Sequence, residues 1–147
     1  MSGLPDPYTV KDAEEWIAKV MAPQPETHFG IAINDEVVGA IGLRSDPRGF
    51  AVLKHSAEIG YWLTEPFWNR GIISEAVAAV TEWAFAERQL VRVHAIVYAP
   101  NVASARALEK AGYKCEGRSH AHYFREGDFI DALLYASVRL PSAGTVH

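Results

Sequence analysis

A-E-I-G-Y-W-L-T-E-P-F-W-N-R-G-I-I-S, residues 57–74, reads as a strand that passes through a short turn into a long helix. Ala57, Ile59, Tyr61 and Leu63 alternate with Glu58, Gly60 and Trp62, so the two sets face opposite sides of a sheet. Pro66 marks irregular chain over 64–69. The spacing then predicts a helix over 70–89, with Ile73, Ala76, Val77, Val80, Trp83 and Ala84 as its buried stripe and Glu75, Glu82 and Arg88 on its wet side. The first N–H groups of a helix have no internal partner, and the helix dipole adds roughly half a positive charge there. The backbone of Asn69, Arg70, Gly71, Ile72, Ile73 and Ser74 is therefore a candidate anion site, with Gly71 allowing a phosphate to come close. The same pattern also fits an ordinary strand–turn–helix in which Gly71 serves only geometry.

Upstream of this stretch, 28–33 and 37–43 read as strands joined by a hairpin connection at 34–36. Residues 44–54, with Pro47 and Gly49, form a loop, and the next strand covers 55–63. Thr9 looks like an N-cap for a helix over 10–20, with Asp12 placed to reach back and Ala13, Trp16, Ile17 and Val20 on one face. Pro23 and Pro25 stop it. Downstream, 91–98 is a strand, Asn101 caps a helix running to about 111, and Gly112 closes that helix. Strands over 113–124 and 128–140 flank a turn at 125–127. The predicted order α, β, β, β, α, β, α, β, β gives a mixed α/β (α+β) architecture, with a mostly antiparallel sheet and helices on both faces. Residues 1–147 read as a single domain, with 1–8 and 141–147 as tails.

Composition narrows the function classes. Hydrophobic residues make up 49% and charged residues 22% of the 147, which is a globular balance. Fourteen Lys and Arg against 18 Asp and Glu give a net charge of −4, so the basic footprint of a nucleic-acid binder is missing. No apolar run approaches the ~20 residues of a membrane helix, and the N-terminus does not read as a signal peptide. One cysteine, Cys115, points to a reducing, cytoplasmic setting.

N-V-A-S-A-R-A-L-E-K-A-G-Y, residues 101–113, adds the second chemical element. Asn101 and Ser104 are three apart and share a helix face. Taken singly, Asn101 is only a cap and Ser104 only a first-turn polar residue. Together with I-G-Y-W-L (59–63), F-W-N-R-G-I-I-S (67–74) and D-A-L-L-Y-A (131–136), the chain resembles the GNAT family of acetyl-CoA-dependent N-acetyltransferases over about 10–140. Within that family it is most similar to the RimJ/RimL-like branch. The resemblance implies a sheet split at a cofactor cleft. Coenzyme A pyrophosphate then sits on the amides of Asn69, Arg70, Gly71, Ile72, Ile73 and Ser74. The pantetheine arm pairs with the backbone of Tyr61, Trp62 and Leu63 and is bonded by Asn101. Ser104 matches the serine proposed in this branch as proton donor to the departing thiolate. An N–H near Trp62 or Leu63 would stabilise the tetrahedral oxyanion, a role typically worth ~3–4 kcal/mol. The expected acceptor is a primary amine, either a protein N-terminus or a small amine, with the loop at 44–54 bearing on its selection. Neither nucleic acid nor membrane is an expected partner.

The chain departs from the family pattern at three places. Leu108 stands where many members carry a tyrosine acid, which leaves Ser104 as donor. Tyr123 stands where the branch has a glutamate base, and Glu58 is the substitute candidate base. Its plainer reading is an ion-pair or solvated strand residue. His94, His120 and His122 are weaker candidates, with His120 and His122 two apart on one strand face, and no metal site is expected. Cys115 reads as a packing residue. Third, a strand and a helix that usually precede the region matching residue 10 have only residues 1–9 in their place. This predicts 28–33 as an uncovered edge strand with Phe29, Ile31 and Ile33 on it, open to a second copy of the chain in a homodimer. It also sustains the alternative of a non-catalytic acyl-CoA-binding or interaction module.

Overall fold

The computed structural model describes residues 8–10, 14–18 and 27–141. Eight strands form one sheet in the order β1-β2-β3-β4-β5-β6-β8-β7. In chain order these are β1 (Tyr8–Val10), β2 (Glu14–Ala18), β3 (Thr27–Ile33), β4 (Glu36–Arg44), β5 (Ser56–Leu63), β6 (Arg92–Tyr98), β7 (Lys114–Arg125) and β8 (Asp128–Val138). Helix α1 (Ile72–Glu87) lies between β5 and β6, and α2 (Val102–Lys110) between β6 and β7. Every neighbouring pair is antiparallel except β5 with β6.

Local chemistry accounts for most boundaries. Asn34 and Asp35 both take positive φ, which lets a two-residue turn join β3 to β4 with the twist a hairpin requires. Glu126 and Gly127 do the same between β7 and β8. Asn101 caps α2 by accepting the Ser104 N–H at 3.1 Å.

The expected helix over 10–20 is corrected. Glu14–Ala18 is a strand registered on β3, with Trp16 opposite Ile31 and Ala18 opposite Phe29, and Tyr8–Val10 pairs with it in turn. Thr9 therefore lies inside a strand and not ahead of a helix. Residues 11–13 and 19–26 of that expectation, and most of both tails, lie outside the described residues. The edge expectation changes with it, because β3 is covered on both sides. An i, i+3, i+4 apolar spacing does not by itself separate a helix from a strand. The row of free N–H and C=O groups along β3 rewards strand pairing.

Both described helices pack on one face of the sheet. One core cluster takes Ile72, Val77, Val80 and Trp83 from α1, Ala105 and Leu108 from α2, and Ile41, Ile59, Val93 and Ala95 from the strands between them. Phe29 reaches the same core, edge-on to Trp83 at 5.3 Å between centroids. The other face carries Glu58, Gly60 and Trp62, in the alternation the sequence predicts, and Trp62 is 56% exposed. Cys115 is not a packing residue. It is exposed on β7, the edge strand beyond β8, with its Sγ 3.7 Å from the carbonyl oxygen of Gly117.

Candidate active site

The site starts from a parting of strands. β5 and β6 pair in parallel only over Ser56–Arg92, Ala57–Val93 and Glu58–His94. Beyond Glu58, β5 stays with β4 as far as Leu63 opposite Gly39, while β6 stays with β8 as far as Tyr98 opposite Ala132. Two twisted pairs that share only their first residues must diverge. The cleft between them holds about 270 Å³ and is lined by Glu58, Ile59, Gly60, Tyr61, the strand from Ala95 to Tyr98, Asn101 and Ser104. Backbone groups of β5 that face β6 past Glu58 have no strand partner, so they are open to an amide-bearing ligand. A Cβ built on Gly60 would meet nothing within 4 Å, which leaves that stretch of wall free.

The candidate anion site is the end of the turn that follows β5. The first bond of α1 runs from the Glu75 N–H to the Gly71 carbonyl at 3.2 Å, so the amides of Ile72, Ile73 and Ser74 precede the helical ladder. Gly71 has φ +78°, a left-handed conformation that glycine adopts without strain, and space is open where its Cβ would be. Asn69 is also left-handed, at φ +63°. The Ser74 hydroxyl donates to the Gly71 carbonyl at 3.1 Å. Arg70 lies over the Phe67 ring at 5.2 Å. Trp68 Nε1 donates to the Leu63 carbonyl at 2.6 Å, which fastens the turn and occupies that carbonyl. The cleft with its free strand edge, and the helix terminus that follows β5 in the chain, fit a ligand that carries both amides and phosphates.

Ser104 is at the cleft, and its Oγ lies 2.6 Å from the Tyr61 hydroxyl. Asn101 uses its carbonyl on the cap, which leaves the amide N–H₂ as the part of its side chain available to a ligand. Burial pushes the Tyr61 phenol above its usual value, and the bond to Ser104 opposes this. Behind it, Tyr113 is hydrogen-bonded to Thr81 of α1 at 2.5 Å and is pushed further up, mainly by burial. Leu108 is fully buried in the core and presents no group to the cleft.

Glu58 is half-buried where the strands begin to part, and Arg44 approaches it at 3.4 Å. His94 stands opposite Glu58 in the parallel register, with Nδ1 3.5 Å from Ser56 Oγ. Burial lowers the His94 pKa, only partly offset by the Glu58 carboxylate, so the ring is neutral at pH 7. Tyr123 packs on Tyr98 at 4.7 Å between centroids. Burial raises its phenol, with Tyr98 and Glu58 adding to the effect, so Tyr123 and Glu58 feel one another.

His120 and His122 fall on an irregular stretch of β7, between Ser119 and Tyr123, where the register with β8 shifts. They do not act as a pair on one face. His120 Nδ1 lies 3.2 Å from Asp131, and His122 Nδ1 lies 2.8 Å from Ser119 Oγ. Asp131 also accepts the Ala121 N–H and Arg118 Nε, both at 2.8 Å, and these bonds hold its carboxyl at about 2. Among the described residues no group of three His, Cys, Asp or Glu side chains is placed to hold a metal ion. Nor is any described helix long and apolar enough to cross a membrane.

The profile of the acetyltransferase (GNAT) domain matches residues 1–114. The chain belongs to the GNAT acetyltransferase family. These enzymes use acetyl-CoA, and the parted strands and free helix terminus suit such a donor. A Bacillus subtilis (strain 168) protein described as the probable N-acetyltransferase YjcK is 38% identical over 117 residues, 76% of this chain and 63% of the relative. The ribosomal-protein-serine acetyltransferase of Escherichia coli (strain K12) is 32% identical over 111 residues, 75% of this chain and 59% of the relative. Mycobacterium smegmatis RimJ, solved in complex with a CoA-disulfide, superposes with a TM-score of 0.66 at 28% identity, covering 77% of this chain and 53% of that one. The chain thus spans less than two thirds of the length of these relatives.

The side-chain partners of the cleft are what the sequence reading did not name. The signal for Tyr61 was available, since the alternation puts it on the buried face, where a phenol needs a partner. Nothing in the sequence ties Tyr98 to Tyr123, because the register shift within β7 brings them together.

Proposed function

We propose that this GNAT chain is an acetyl-CoA-dependent N-acetyltransferase that moves an acetyl group to a primary amine by direct attack in a ternary complex. The observation that carries this reading is the cleft between β5 and β6 with Ser104 at its wall, β5 leading through one turn into the α1 terminus. Acetyl-CoA supplies the reactive thioester. Asn69, Arg70, Gly71, Ile72, Ile73 and Ser74 hold its phosphates, and the backbone of Tyr61, with the Leu63 N–H, lines up its amide arm, whereas the expected Trp62 backbone is taken by Ala40 in the β4–β5 ladder. Asn101 bonds the same arm through its N–H₂. A backbone N–H near Trp62 or Leu63 stabilises the developing oxyanion. Ser104 donates toward the departing sulfur. Glu58 takes the proton from the amine, which must be neutral to attack.

The acceptor is a protein N-terminus or a small amine, and the acidic balance of the chain favours a cationic one. The ribosomal-protein acetyltransferase among the relatives supports the first of these. The same reading takes residues 1–147 as a single cytoplasmic domain. Titration calorimetry with acetyl-CoA tests the proposal: saturable binding is expected, and no heat at millimolar donor overturns it. Glu58→Gln is expected to remove the loss of rate on the acid side of the kcat/KM profile, where a carboxylate base becomes protonated. An unchanged profile means that water takes the proton instead.

A second reading, a non-catalytic acyl-CoA-binding module, draws support from Leu108, which is buried, and from Tyr123, which stands where the branch has a glutamate. Donor binding without thiol release across a panel of peptides and polyamines would favour it.

A further inference from the structure

The Ser104–Tyr61 bond raises a chemical question about the departing thiolate. A serine hydroxyl is a far weaker acid than a thiol, whose ordinary pKa is about 8.5. Ser104 alone can donate a hydrogen bond to sulfur, but giving up its proton leaves an alkoxide in a half-buried cleft. A phenol, ordinarily near 10, matches the thiol far better. Such a phenol is 2.6 Å from Ser104 Oγ.

We propose that Tyr61 is the proton source for the departing thiolate and that Ser104 relays the proton from its hydroxyl to the sulfur. The phenol thereby comes from strand β5, on the opposite wall from helix α2, whose Leu108 lies in the core. This rests on the acetyltransferase reading above. In the step, the C–S bond breaks and its electron pair goes to sulfur. The Ser104 Oγ proton moves to sulfur as the Tyr61 Oη proton moves to Ser104 Oγ. The tyrosinate that remains takes a proton from solvent, which replaces the one surrendered by the amine, so no proton is gained or lost over the cycle.

The surroundings of Tyr61 suit this task. From α2 it meets Ser104, and from β4 its register partner is Ile41. Tyr113, just past α2, is the titratable group coupled to it electrostatically, and it is neutral with its hydroxyl held by Thr81. Glu58, Tyr98 and Asn101 line the same cleft. No cation among these faces the phenol to strip its proton. Burial raises the Tyr61 phenol, the Ser104 bond draws it back toward the thiol, and it stays protonated across the working pH range. The relay is therefore loaded at neutral pH and fails only as pH rises through the phenol's elevated pKa.

Three measurements on the full chain test it. Tyr61→Phe is expected to lower kcat by about 100-fold or more, with KM for acetyl-CoA and the calorimetric affinity for the donor nearly unchanged. Fluorotyrosine placed at position 61, whose phenol is more acidic, is expected to pull the alkaline fall in kcat to lower pH. With tyrosine ring carbons labelled, the NMR titration of Tyr61 is expected to move upward in Ser104→Ala, because the bond that favours its ionised form is lost. A kcat within twofold of the parent in Tyr61→Phe, or an alkaline limb that ignores the fluorinated residue, overturns the relay while leaving the acetyltransferase reading intact. Absence of acetyl-CoA binding in the unmodified chain overturns both.

Discussion

Ser104→Ala is expected to lower kcat by about 100-fold or more, while KM for acetyl-CoA changes by less than about threefold. The hydroxyl has no charge to meet until the C–S bond begins to break, so its contribution belongs to the transition state and not to donor binding. The position is well fixed for this. Its N–H is anchored on Asn101 and its Oγ on Tyr61. The substitution also leaves the Tyr61 hydroxyl without its partner, which costs about 1–3 kcal/mol of stability if no water enters. Steady-state kinetics read the first effect and thermal melting reads the second. An unchanged kcat would remove Ser104 from the reaction and leave the Tyr61 relay without its carrier.

Gly39→Val is expected to destabilise the fold by about 3 kcal/mol or more. For a chain of this size that is a fall in melting temperature of roughly 10 °C. Gly39 lies opposite Leu63 on β5. A Cβ there would collide with the Trp62 carbonyl oxygen and lie 3.0 Å from Leu63 Cδ1 and 3.1 Å from Leu63 Cα, so the backbone of β5 has to move. Those are the residues next to which the oxyanion N–H is proposed, so donor binding should weaken in step with stability. Gly60→Ala is the control on the neighbouring strand. Its Cβ meets nothing within 4 Å, so the melting temperature should hold. The added methyl projects into the cleft wall, and the affinity for acetyl-CoA should fall by about 10- to 200-fold, as one misplaced methyl group does in a fitted pocket. Equal melting shifts for the two variants would contradict the crowding of a side chain at Gly39.

The chain's own pattern carried the central fold a long way. Period-two alternation in 57–63 and the apolar stripe of 72–87 are local properties, and each fixes which face of its element is buried. The turns at Asn34-Asp35 and Glu126-Gly127 and the cap at Asn101 are equally local, since each depends on one or two residues whose chemistry suits the conformation. The reading failed at Glu14–Ala18, where Trp16 and Ile17 fit a helix and a strand alike. There the free edge of β3, outside the segment itself, decided the outcome. Cys115 failed for a related reason, because its exposure follows from β7 lying at the sheet edge, which no local pattern encodes.

At the site, the sequence by itself determined the kind of groups available: a helix terminus at Gly71 and Ile72, a capping Asn101, a first-turn hydroxyl at Ser104 and a carboxylate at Glu58. Only the tertiary structure decided how they meet. β5 leaves β6 at Glu58 because each strand has a longer partnership on its other side, and that competition of ladders opens the cleft. The Tyr61–Ser104 bond joins residues 43 apart in the chain, and Tyr98 reaches Tyr123 across a shifted register. Contacts of this kind depend on sheet twist and strand order, which are collective properties of the packed chain and leave no signature in the spacing of any one segment.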